Sequence, residues 1–252
     1  HFAHAAGRAA ARYANAEAIG HYRHALEQLA GLPDGPDRRR TELLLQSGLG
    51  LPLMASLGYS APPVRQAFAR ARELCQDLGD GPALLPVLYG LTAYYGVKPE
   101  MAAARPLAAR CLAAARAAND DDSVMAACGI VGTVEMYHGR LVAARSLFEL
   151  GLARYRPGRQ ARHVARFGQD PIAALAFIAR TEALLGHPDL ALRRTKMLVA
   201  AAREPQMQPN TLGALHAHLA QLHLVLHEPR TALRHATAAV EVAVRQDLPL
   251  WL

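Results

Sequence analysis

Small residues recur along this chain at the points where one helix would cross another. Ala18, Val64, Ala104, Ala144, Ala191 and Ala232 each open a triad of inward positions, at steps of 46, 40, 40, 47 and 41 residues. The clearest copy is Ser123–Leu152, SVMAACGIVGTVEMYHGRLVAARSLFELGL. Cys128, Val131, Gly132 and Glu135 stand at i, i+3, i+4 and i+7, the spacing of one helix face. Gly139 ends that helix, and Ala144, Phe148 and Gly151 resume the period in a second. Two helix axes approach closely only where no large side chain intervenes, which Gly132 and Ala144 satisfy. Such a hairpin cannot bury its own apolar face, so it needs neighbours on both sides.

The pattern therefore predicts an all-α fold, a right-handed α-solenoid of about six tetratricopeptide-like helical hairpins, with residues 1–252 as a single repeat domain. The units exceed the roughly 34 residues of a tetratricopeptide repeat, so their helices or loops are longer. Composition agrees. Apolar residues make up 52% and aromatics only 6%. The abundant alanine favours closely spaced helices over sheets. No apolar run approaches the ~18 residues of a membrane span. Cys75, Cys111 and Cys128 lack metal-ligand or redox spacing and read as buried thiols, which places the protein in the cytoplasm. The chain starts at His1 without methionine and stops just after Pro249, so it reads as a fragment of something longer.

Proline and the small polar residues punctuate the hairpins. Asn15 is expected to cap the second helix and Asp37 the third, in which Pro52 should introduce a kink. Pro106 conflicts with a helix facing Ala104, Ala108 and Cys111 inward, and should bend it or shift its start. Asn119–Asp122 reads as a turn and cap before Ser123; a solvated cap at the positive end of a helix is preferred over a cation site.

The net charge of +7 is nearly all arginine, since Lys98 and Lys196 are the only lysines. These arginines interleave with acids along helix surfaces, unlike the clustered basic face of a nucleic-acid binder. The irregular Arg154–Arg166 stretch, with Arg156, Arg159, Arg162, His163 and Arg166, is the best candidate partner-binding set, able to pair with acidic groups or phosphate; a solvated loop is the reading preferred over it. His216, His223 and His227 are spaced to share a helix face with His218 nearby, but no H-E-x-x-H base accompanies them. Packing or solvent exposure is the preferred reading, and no metal or cofactor is expected. There is no G-x-S-x-G elbow and no phosphate-cradling G-x-x-x-x-G-K-[ST] loop, so no catalytic residue is assigned.

One segment, RFGQDPIAALAFIARTEALLGHPDLAL from Arg166, resembles the helical-repeat region that follows the ATPase module in large bacterial adenylate/guanylate cyclase–ATPase proteins, some fused to protein kinases. Arg38–Val64, Ala69–Asp80 and Leu248–Leu252 (LPLWL) add to the resemblance in order, with Gly168–Pro171 its most specific part. The resemblance implies a non-catalytic sensor or scaffold segment of a signalling protein whose cyclase, ATPase or kinase modules lie elsewhere. Its partner would be a protein or peptide on the concave face, or neighbouring domains of the same chain. Similar repeats also follow ATPase modules in some transcriptional regulators, which is the alternative, and an arginine-mediated nucleic-acid binder is a further one.

Overall fold

The computed structural model describes residues 2–11, 14–79, 81, 83–98, 101–156, 163, 166–167, 171–202, 209–246 and 248. Among these there is no strand. The α-helices are α1 (Phe2–Ala11), α2 (Asn15–Ala30), α3 (Pro36–Leu57), α4 (Pro62–Leu78), α5 (Leu84–Gly96), α6 (Ala104–Ala118), α7 (Asp121–Tyr137), α8 (Leu141–Leu152), α9 (Pro171–Leu184), α10 (Pro188–Ala202), α11 (Pro209–Val225) and α12 (Pro229–Arg245). They pack in adjacent pairs. The chain divides into two compact units, residues 1–118 with 165–168, and 119–164 with 169–252.

In the first unit α1 pairs with α2, α3 with α4 and α5 with α6, while α2 packs on α3 and α4 on α5. The triad residues are buried as their spacing predicts: Ala18, Val64, Phe68, Ala71, Cys75, Ala104, Ala108 and Cys111. The ring of Phe68 lies between two glycines. A Cβ placed on Gly50 of α3 or on Gly90 of α5 would stand 2.4 Å from its atoms. Gly48 plays the same part for Tyr22, whose Oη is 2.6 Å from where a Cβ would be. Tyr22 and Phe68 each stand four residues after the first member of their triad, so an aromatic knob and a glycine hole recur together. The ring of Tyr89 meets Phe167 at 5.3 Å and 55°.

Two expected caps are displaced. Asn15 is the first residue of α2 rather than its cap, and Ala14 precedes it with no side-chain bond to the helix. Gly35 caps α3 because Pro36, with its fixed φ and missing N–H, takes the first helical position; Asp37 then falls within the first turn. Helix α3 runs on through the buried Pro52. The Pro106 conflict is settled by a shifted start. A 3₁₀ turn at Met101–Ala103 precedes α6, leaving Pro106 in the first turn, where a backbone N–H has no intrahelical partner anyway.

In the second unit α7 pairs with α8, α9 with α10 and α11 with α12, and α9 packs against α7, α8 and α11. Asp120 caps α7 as expected, its Oδ1 accepting from Ser123 N at 2.9 Å. Gly132 and Ala144 do mark a tight crossing: Ala144 is fully buried, and a Cβ on Gly132 would lie 2.7 Å from Cε1 of Phe148. Phe148 is again four residues past its triad's first member. The three pairs also share one turn. The N–H of Arg140, His187 and Glu228 donates to the carbonyl of Glu135, Glu182 and His223, at 2.9, 2.9 and 2.8 Å. A left-handed residue precedes each donor: Gly139, Gly186 and His227, at φ 76°, 86° and 57°. Phe148, Ile178, Ala179, Ala191, Leu215, Leu219 and Leu222 fill the core.

Candidate functional site

The expected contact set is only partly described. Arg159 and Arg162 lie outside the described residues. Arg156, in the second unit, is exposed and its Nη1 donates to the carbonyls of Ala153 and Tyr155, both at 3.2 Å. Arg154 beside it donates to Leu150 O at 3.2 Å, with its Nε 3.7 Å from Asp121 Oδ1. His163, in the second unit, is buried, 3% exposed. Arg166, in the first unit, lies over the ring of Phe167 at 5.2 Å.

A different constellation forms in the second unit, where the first helices of successive pairs share a face. Arg180 of α9 is 9% exposed, and its guanidinium reaches both neighbours. Toward α7 its Nη2 donates to Tyr137 Oη at 3.3 Å and meets Met136 Sδ at 3.7 Å. Toward α11 its Nη1 donates to Gln221 Oε1. The same cation stands over the rings of Phe177 and Tyr137, at 5.0 and 5.5 Å. His218 packs on Phe177 at 4.1 Å; burial first, then the Arg180 charge, pushes its pKa down to about 4. A flat, always-charged side chain with five donors suits this position between two aromatic rings and an amide. With Nη1 and Nη2 both engaged, Arg180 is a strut. What remains for a ligand is the exposed apolar and polar surface beside it: Tyr137, Leu184, Gln221 and Leu224.

The histidines divide differently from their spacing. Helix α11 ends at Val225, so His227 falls in the left-handed turn position and leaves the face of His216 and His223. Their actual neighbour is His235 of α12. Its Nδ1 is 3.0 Å from His216 Nδ1, and its ring stacks on His223 at 5.4 Å and 7°. His223 Nδ1 is 2.9 Å from Glu228 Oε2. Burial, followed by the neighbouring His216, His223 and Arg234, brings the pKa of His235 to about 4, and burial lowers that of His216. Among the described residues no group of three or more His, Cys, Asp or Glu could hold a metal ion. Cys75, Cys111 and Cys128 are buried and form no disulfide.

Near the end of the first helix of each pair in the second unit stands an ionisable residue, with another five residues on. Arg140 bonds Glu135, with Nη2 at 2.9 Å from Oε1, and His223 bonds Glu228. In the middle pair Glu182 is fully buried with both carboxylate oxygens unbonded, while the equivalent His187 is exposed. His187 lines an open depression of about 370 Å³ at the start of α10, with Arg145, Asp189 and Arg193. Sequence reasoning missed Arg180 and His235. The available signal was Phe177 and Arg180 at i, i+3 beside His218 and Gln221 at the same spacing one repeat later. No protein-family model matches the chain, and no curated protein matches it significantly.

Proposed function

We propose that this chain is a non-catalytic interaction module, an α-solenoid of tetratricopeptide-like hairpins that receives a protein or peptide on the surface of its first helices. One observation carries the reading: Tyr137, Arg180 and Gln221, from three successive first helices, are joined by hydrogen bonds on a single face. A rigid strut beneath exposed aromatic, aliphatic and amide groups is the arrangement by which a repeat surface grips an extended segment. As the sensor or scaffold segment of a cyclase–ATPase signalling protein, the chain would offer this surface to a partner or to a neighbouring domain. A repeat region of an ATPase-type transcriptional regulator would use the surface identically.

Selection of peptides from a random library on the purified chain, followed by calorimetric titration, tests this. Tyr137→Ala and Gln221→Ala should each weaken the selected peptide about tenfold or more. Affinity unchanged in both, and in Leu184→Ala and Leu224→Ala, overturns the proposed surface. Hydrolysis of ATP or formation of a cyclic nucleotide by these 252 residues would overturn the non-catalytic reading. For the arginine-mediated alternative, binding of labelled DNA or RNA with a steep salt slope is the deciding result.

A further inference from the structure

Helix α12 has two faces of different character. Ala232, Ala239 and Ala243 are buried on the side toward α11. A second face, about a third of a turn round the helix, carries Leu233 and Val244, each 67% exposed, with Val240 at 42% and the exposed Thr237 between them. These four stand at i, i+4, i+7 and i+11, the narrow seam of a coiled coil rather than scattered apolar residues. Thr237 is the one polar member. Its β-branched shape matches that of valine, so it fits the seam sterically while its hydroxyl lowers the gain from burial.

We propose that this seam is a self-association surface, on which a second copy of the chain packs its own α12 antiparallel. The charges select both the occupant and the direction. When the seam is turned end for end on itself, Leu233 layers with Val244 of the other copy and Thr237 with Val240. In that register the flanking e positions, Arg234 and Glu241, face each other across the pair twice, by symmetry. Parallel packing would set those two charges opposite Pro229 and Ala236, with no ion pair formed. Both charges are on the exposed side and exchangeable. Arg234 donates to Thr231 Oγ1 at 3.3 Å, and Glu241 holds the exposed Arg245 at 3.3 Å, a surface bond of small worth. One helix pair buries less than about 1,200 Å², and two threonines lie in its central layers, so the dimer is weak and reversible.

Sedimentation equilibrium from about 1 to 200 µM reads this directly, with the Kd expected inside that window. Val240→Glu should leave a monomer with unchanged circular dichroism, as befits an exposed position. Thr237→Val should tighten the dimer about fivefold or more, because two hydroxyls no longer enter the interface. Arg234→Glu and Glu241→Arg should each weaken association about tenfold, since each juxtaposes like charges twice. The double variant, which restores both pairs with signs exchanged, should recover the parent Kd within about threefold. A monomer at every concentration overturns the proposal. So does a dimer indifferent to Val240→Glu or to Thr237→Val, or a double variant no better than its parents.

Discussion

Adding one methyl group at Gly90 should destabilise the first unit, whereas the same change at Gly20 should stabilise it. In a helix interior, alanine gains about 0.5–1 kcal/mol over glycine because less backbone freedom is lost on folding. Nothing lies within 4 Å of where the Gly20 Cβ would stand, so that gain is expected in full. At Gly90 the new carbon would stand 2.4 Å from Cε2 and Cζ of Phe68, about an ångström inside ordinary contact. The ring cannot retreat, because Gly50 approaches it equally closely from α3 and its exposure is nil. Overpacking of this kind costs about 1–3 kcal/mol, and a trapped ring belongs at the upper end. After the propensity gain, Gly90→Ala should lose about 1–2 kcal/mol. Urea unfolding followed by circular dichroism measures both variants. In the background of Phe68→Leu the penalty of Gly90→Ala should shrink by about 1 kcal/mol, since the obstructing ring is gone. Equal effects at Gly20 and Gly90, or a penalty independent of residue 68, would refute the knob-and-hole account.

Further outcomes follow from the second unit. Gly132→Ala should also destabilise, by about 0.5–2 kcal/mol in urea unfolding, because its Cβ would meet Phe148. Glu182→Leu should raise stability by about 1–3 kcal/mol, as the parent buries a carboxylate without a hydrogen bond; a loss of that size would mean the carboxylate has a partner. Asp120→Ala removes the bond to Ser123 N and should cost about 1 kcal/mol by the same measurement. Acid should loosen this unit before carboxylates titrate fully. His218 and His235 have pKa values of about 4 when folded against 6.5 otherwise, so the unfolded chain binds protons first. Their stability contribution is therefore complete above pH 6.5 and lost as pH falls toward 4. The loss is up to about 3 kcal/mol for His218, and less for the solvent-screened His235. A pH series of unfolding curves on His218→Gln should show a shallower decline.

The helices, their pairing and most of the inward positions were legible in local residue pattern. A helix face is a periodic property of local residues, so Phe68, Ala144 and Phe148 could be placed inside from spacing alone. It also located the crossing at Gly132, because a glycine amid a strong period signals close approach. Which glycine receives which ring was not legible there, because Gly50 and Gly90 lie 18 and 22 residues from Phe68 on different helices. For the same reason Arg180 was not legible, since its partners stand 43 and 41 residues away on separate helices. The histidines make the point sharply. Spacing grouped His216, His223 and His227, but the helix ends before His227, and His235 arrives from the neighbouring helix to take its place. Period along one helix is fixed by local chemistry, whereas what two helices bring together depends on their relative rotation and offset, which packing alone sets.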